Sequence, residues 1–295
     1  MNIYYRILIA VAAVFAAVVL CRFLMGGHVV ALFMPAGTVA AQQIHLIELM
    51  VLLMLIIVVP VFAFAFTIAW KYRAGNPDKK YETELKHRPW KEIVLWLVPA
   101  ALIAVLAVFT WNAAHALDPY RQIENGKPPL VVQVVALPWK WLFIYPEQGI
   151  AAVNFLEFPE QTPVHFELTA DGPMDSPMGS FWIPQLGSQI YAMAAMQTDL
   201  NLIADSTGEY VGKDTEINGA GYAGMQFAAK SVSGADFDNW VSDVKAASTT
   251  LDGNAYAALA APSENNPPAF YASVEGDLFN SIMMKYMAPN PSGPL

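Results

Sequence analysis

Few side chains in this sequence are equipped for chemistry, and their types narrow what chemistry is open. Glu92 stands in WKEIVLW, at the opening of a 22-residue apolar stretch from Ile93 to Ala114. An ionisable group at such an edge can cap a helix N-terminus and complement its dipole, face water, or serve a function of its own. Cys21 is the single cysteine, which rules out an intrachain disulfide framework, a cysteine-ligated zinc site and any two-cysteine metal centre. The five histidines are scattered and leave little else for a metal. Met174, Met178, Met193, Met196 and Met225 carry thioethers that suit copper handling or, as the commoner use, polarizable filling of a core or interface. Trp139-Lys140-Trp141 brackets a cation between two large aromatics. His45, Glu48 and His115 lie near the ends of apolar stretches, where anchoring at an interface is the default reading.

The elements that must position these groups follow from composition. Of 295 residues, 56% are hydrophobic and only 14% charged, so the apolar surface needs either a large core or lipid. The net charge of −9 argues against nucleic acid as a partner. Residues 1–117 hold nine Lys/Arg against five Asp/Glu, and residues 118–295 hold seven against twenty. The chain is therefore a mildly basic, apolar front joined to an acidic, more polar back.

Three apolar stretches mark the front. Ile7 to Leu20 is flanked by Arg6 and Arg22; at ~1.5 Å per residue it reaches about 21 Å, short of a bilayer's ~30 Å hydrocarbon core. Residues 1–28 thus read as a signal-like segment or an extra N-terminal apolar anchor. Leu49 to Ala69 and Ile93 to Ala114 are uncharged and long enough to span, with tryptophans and tyrosines near their ends. They predict a two-helix transmembrane hairpin over residues 44–117. The loop 71–91 between them carries seven Lys/Arg against three acids. The positive-inside rule puts it in the cytoplasm and the acidic back half outside.

The back half predicts a β domain over residues 118–232. LVVQVVAL, WLFIY, VNFLEF, TPVHFELTA, GSQIYAM, MQTDLNLIA, GEYVG and GMQFAAKSV read as short strands, with turn signals spaced as in a sandwich or barrel. Over residues 233–295 the pattern becomes helical: Phe237, Trp240, Val241 and Val244 share one helix face, and further short helices are expected around Asn254–Ala260 and Asp277–Met287.

VVALPWKWLFIYPEQGIA, SFWIPQLGSQIYAMAAMQT, GEYVG and LAAPSENNPPAFY resemble subunit II of the haem–copper oxidases, and within them the ubiquinol oxidases of the cytochrome bo and ba type. The resemblance runs from about Pro35 to Tyr286. It implies a membrane α-helical hairpin plus an all-β cupredoxin-like sandwich with short C-terminal helices.

In the cytochrome c branch of that superfamily the sandwich binds two coppers, through His-Ser-Phe/Trp-x-x-Pro and Cys-Ser-Glu-x-Cys-Gly-x-x-His-x-x-Met. Here Gly179 stands at the first histidine, Asp214 and Asn218 at the two cysteines, and Tyr222 at the second histidine. Glu216 and Met225 are retained but left without function. A mixed-valent pair of coppers needs bridging thiolates, so the resemblance points to the branch fed by quinol, with no cytochrome c partner.

The resemblance further implies that Glu92, matching an acid at the mouth of a proton channel, takes up protons from the cytoplasm, with Lys91 tuning it. It implies that Trp139 and Trp141 pack the sandwich against subunit I. The chain would be subunit II of a proton-pumping ubiquinol oxidase of the aerobic respiratory chain, without a complete active site or cofactor of its own. Haems, catalytic copper and ubiquinol would belong to subunit I. Subunits III and IV and membrane lipid would be further partners, in a bacterial inner membrane with the C-terminal domain in the periplasm. Family members often carry a lipidated cysteine. At the expected place stands His28, and Cys21 follows a leucine too bulky for the processing peptidase, so no lipidation is expected. The rival readings are a copper-bearing cytochrome c oxidase subunit and a membrane-tethered copper chaperone or assembly factor.

Overall fold

The structure is a computed structural model that describes residues 31–73, 89–172 and 178–287. The N-terminal segment 1–28 with Cys21 and His28, most of the 71–91 loop, the Lys91 side chain and Met174 lie outside the described residues.

After a short 3-10 turn at Ala31–Phe33, two long helices follow, α1 (Thr38–Lys71) and α2 (Pro89–Ala116). Over a membrane-spanning length each is apolar on every face and none of that stretch is buried. Trp96 is 77% exposed and Phe66 70%. Surface of that kind is stable only against lipid or a partner's helices. Pro60 and Pro99 sit inside the helices, which membrane helices tolerate better than soluble ones. The 34 residues of α1 reach about 51 Å, longer than the ~30 Å core. Its polar first turns therefore have length to rise beyond the apolar span and meet the sandwich.

The sandwich is built from β1 (Leu130–Leu137), β2 (Lys140–Tyr145), β3 (Ile150–Val153), β4 (Phe155–Pro159), β5 (Val164–Ala170), β6 (Gly179–Ile183), β7 (Gly187–Ala192), β8 (Thr198–Leu202), β9 (Gly208–Asp214) and β10 (Gln226–Val232). The C-terminal segment adds α3 (Gly234–Ala246), β11 (Thr250–Leu251), α4 (Gly253–Ala260), β12 (Ala269–Tyr271), β13 (Ser273–Val274) and α5 (Leu278–Met287). One sheet runs β12-β3-β2-β1-β5-β8 and the other β4-β10-β9-β6-β7. β1 pairs with β5 in parallel, Leu130 opposite Val164, and with β2 antiparallel.

The near-continuous apolar run of β1 has a specific cause. Val132, Val134 and Ala136 face the core between the sheets, while Val135 and Leu137 face a second core. That second core is closed by Leu251, Phe279 and Ile282 of the C-terminal segment. A sheet buried on both faces needs apolar side chains on both.

The segment read from sequence as helical is thus also part of the sheet: β12 extends its edge, with Ala269 opposite Val153. Long-range edge pairing of a three-residue strand leaves no periodicity to read. Helix α3 matches its expected face, with Phe237 and Val244 buried, and Ser233 caps it by accepting from the Asp236 amide.

Backbone hydrogen bonds join the hairpin to the sandwich. Ala36 N–H donates to Gln185 O at 2.8 Å, Ala40 N–H to Leu186 O at 3.2 Å, and Asp205 N–H to Ala36 O at 2.9 Å. Past α2, Pro119 O accepts from both the backbone N–H and Nδ2 of Asn201, each at 3.0 Å. Both outer ends of the hairpin are therefore tied to the domain.

Candidate functional site

The six positions that carry or replace copper ligands in the resemblance are set by β6, by the end of β9 and by the loop leading to β10. Phe181 of β6 lies opposite Asp214 of β9. The Asp214 carboxylate is buried and accepts three hydrogen bonds. Oδ1 takes the backbone N–H of Ser180 at 2.7 Å and of Glu216 at 3.1 Å, and Oδ2 takes Asn218 Nδ2 at 2.5 Å. The same amide nitrogen lies 3.7 Å from the Met225 sulfur. Asp214 N–H donates to Met225 O at 3.0 Å and Thr215 N–H to Ser180 O at 3.2 Å. Burial raises the Asp214 carboxyl above the usual range, against the backbone amides of Ser180, Glu216 and Thr215 and the Asn218 amide. Hydrogen bonds to one carboxylate hold the loop here.

Asp214, Asn218, Met225 and Glu216 are brought together. Tyr222 opens a 3-10 turn, Tyr222–Gly224, in the same loop, and is half-buried. Gly179 is buried on β6; a Cβ added there would meet Ala136 Cβ at 3.2 Å and Trp141 Cη2 at 3.5 Å. The donor set does not fit a two-copper centre. It offers two carboxylates, of which Asp214 is already engaged by three donors, with an amide, a phenol and a thioether, and no thiolate to bridge. Among the described residues no group of three His, Cys, Asp or Glu is placed to hold a metal ion.

The aromatic pair divides. Trp141 is fully buried, edge-on to Phe181 at 5.4 Å and to Phe227 at 6.0 Å. The expectation that it contacts subunit I is corrected: strand alternation puts Trp141, Phe143 and Tyr145 on the core face of β2. Its indole N–H has no partner. Trp139 sits in the β1–β2 turn with φ +62° and lies on the loop that follows Asn218. A Cβ at Gly221 would fall 2.4 Å from Trp139 Cγ, so the indole needs glycine beneath it.

Sequence reasoning missed two charged groups. Lys140 is 1% exposed. Its Nζ donates to Leu259 O at 2.8 Å, Ala261 O at 2.7 Å and Ser263 Oγ at 2.5 Å. All three ammonium protons are used on the C-terminal segment, although burial lowers the pKa of the group. Asp171 is buried and bound by Tyr256, Lys285 and Tyr286. The signal available was a lysine fixed between two tryptophans of an apolar hairpin.

Glu92 lies exposed in the first turn of α2, opened by Pro89. His45 and Glu48 are exposed on α1. His115 Nδ1 lies 2.8 Å from Trp111 O and its ring 4.6 Å from the Trp111 ring, a local helix-end arrangement. Met225 is core, 1% exposed, whereas Met178 is 40% and Met196 49% exposed.

Residues 245–290 match the family described as the COX Aromatic Rich Motif, the stretch from the end of α3 that closes the second core. Among solved structures, the chain is similar to the periplasmic domain of subunit II of cytochrome oxidase of Bradyrhizobium japonicum, at 20% identity and a TM-score of 0.37, covering 41% of this chain and 96% of that one. The cytochrome bo(3) ubiquinol oxidase subunit 2 of Pseudomonas aeruginosa is 47% identical over 89% of this chain and 78% of its own length. The ubiquinol oxidase subunit 2 of Acetobacter aceti is 49% identical over 74% of this chain and 70% of its own length. With 47% identity over 89% of its length to such a relative, the chain belongs to the ubiquinol oxidase subunit 2 family.

Proposed function

We propose that this chain is the non-redox second subunit of a membrane complex that oxidises ubiquinol, reduces oxygen to water and moves protons outward. The observation that carries the reading is Asp214. A carboxylate that spends its lone pairs on Ser180, Glu216 and Asn218 has replaced a metal ligand with a hydrogen-bonded brace. Such a domain lacks the thiolates of a two-copper centre at which to receive electrons from a soluble cytochrome, whereas quinol delivers them within the membrane. Haems, catalytic copper and the quinol site belong in this reading to subunit I, with subunits III and IV completing the complex. The acidic domain then faces the periplasm and the basic 71–91 loop the cytoplasm.

Glu92 has the second role. Its carboxylate, at the cytoplasmic start of α2, accepts a proton from water and passes it to subunit I. Its position in the first helical turn supports this, since the carboxylate stands where the apolar span meets water. Trp139, half-buried on the 219–221 loop, is kept as a contact with subunit I; Trp141 is not.

Purified complex supplied in turn with ubiquinol and with reduced cytochrome c tests the assignment. Oxygen consumption with ubiquinol alone is expected. Turnover with cytochrome c, together with a thiolate–copper absorption band from this subunit, overturns it.

A further inference from the structure

The methionines set apart by the sequence do not all fill the core. Met178, Met193 and Met196 line one cavity of about 380 Å³ on the sandwich, shared with Trp139, Gly179 and Asn218. The backbone brings the three together independently of that cavity. Gly179 of β6 pairs with Ala192 of β7 as the end pair of that ladder, and Met178 and Met193 are the residues next to that pair on the two strands. Directly opposed residues of an antiparallel pair lie about 5 Å apart at Cα. Met193 and Met196 flank the turn at Ala194-Ala195, where Ala195 has φ +60°, and the ends of a four-residue turn lie within about 7 Å. The turn is held in place. Met193 O accepts from Ala170 N–H and Thr169 Oγ1, both at 3.3 Å, and Tyr191 O accepts from Thr198 Oγ1 at 2.6 Å.

Three flexible thioethers around one open cavity, with an indole on its wall, make a soft and uncharged donor set. The other polar side chains on its wall are Asn218, whose unpartnered Oδ1 is a neutral, hard amide oxygen that a soft ion does not favour, and Asp171. The Asp171 carboxylate oxygens are taken by Tyr256, Lys285 and Tyr286. Thioether sulfur selects monovalent copper or silver over zinc and other borderline or hard divalent ions. The domain's excess of acids, twenty against seven bases over residues 118–295, draws cations to its surface. We propose that Met178, Met193 and Met196 form a binding site for a single cuprous ion. A single closed-shell cuprous ion held by thioethers is colourless and has no bridging thiolates, so this site is distinct from the two-copper centre that the Asp214 loop cannot hold. It does not rest on the oxidase reading.

The test uses the intact detergent-purified complex. Cu(I), presented as a coloured chelate under anaerobic reducing conditions, is titrated against the parent complex and against one carrying Met178→Leu, Met193→Leu and Met196→Leu. Leucine keeps volume and apolarity, and undiminished ubiquinol oxidation reports that the variant complex is assembled. The parent is expected to withdraw one more Cu(I) per chain than the triple variant. Met193→Leu alone should weaken binding roughly tenfold or more, and Met54→Leu on α1 should change nothing. Ag(I) should displace the ion and Zn(II) should not. Equal withdrawal by parent and triple variant, or displacement by Zn(II) as readily as by Ag(I), overturns the proposal. An X-ray absorption spectrum of the bound copper showing nitrogen or oxygen neighbours and no sulfur does the same.

Discussion

Lys285 Nζ donates a 2.8 Å hydrogen bond to Asp171 Oδ1 across 114 positions of sequence. Asp171 closes β5 and Lys285 lies on α5, so the pair fastens the C-terminal segment to the sandwich. Tyr286 adds a 2.5 Å bond to the same oxygen, and Tyr256 of α4 donates to Oδ2. Burial opposes the Asp171 charge, but the bonds from Lys285, Tyr256 and Tyr286 outweigh it and hold the carboxyl below the usual range. A folded-state pKa below the unfolded value contributes stability above the ordinary aspartate pKa of about 3.9, lost as pH falls through the folded value. The Lys285 bond to Asp171 raises its ammonium pKa, a contribution present below about 10.4 and lost as pH rises through the folded value. Lys285 is 56% exposed, so its share is small. Limited proteolysis should find the C-terminal segment protected across neutrality and released first in acid below about pH 4. Asp171→Asn should loosen it at neutral pH by about 2 kcal/mol.

Gly187 is one residue on which the hairpin's seat depends. Its φ is +102°, and a Cβ there would lie 2.8 Å from Ala40 N, the amide that bonds Leu186 O. Gly187→Val adds a steric block to backbone strain worth about 1–3 kcal/mol by itself. Thermal unfolding should fall accordingly, with less assembled complex recovered. Gly234→Ala, where an added Cβ meets nothing within 4 Å, serves as the neutral control.

Asp214 and Asn218 should show coupling. Asp214→Asn turns one oxygen into an N–H₂ group facing Asn218 Nδ2, donor against donor, while Ser180 and Glu216 keep an acceptor. A loss of about 1–3 kcal/mol is expected. The exchange Asp214→Asn with Asn218→Asp restores donor to acceptor and should recover part of it. Denaturant unfolding of the four proteins of the cycle measures the coupling; strict additivity would mean that the 2.5 Å contact contributes nothing.

Glu92→Gln keeps shape and removes proton exchange. Steady-state oxygen consumption of the assembled variant should drop severalfold with haem content unchanged. A wild-type rate would leave Glu92 only the role of complementing the N-terminus of α2.

Much of this protein was legible in the sequence because the causes are local. Leu49–Ala69 and Ile93–Ala114 are apolar beyond what a soluble helix needs, and lie within α1 and α2. LVVQVVAL coincides with β1, and the Phe237–Val244 face with α3. That Asp214 and Asn218 bring no thiolates was readable from side-chain identity, wherever the chain puts them. Other features rest on partners 85 to 123 positions away. Lys140 finds its acceptors at Leu259, Ala261 and Ser263, Asp171 at Tyr256, Lys285 and Tyr286. Trp139 and Trp141, two residues apart, part ways because a positive-φ turn holds one over the 219–221 loop while β2 turns the other into the core. Periodicity records which faces of an element are apolar; which distant element covers each face, and which buried charge it meets there, is decided by sheet register and packing alone.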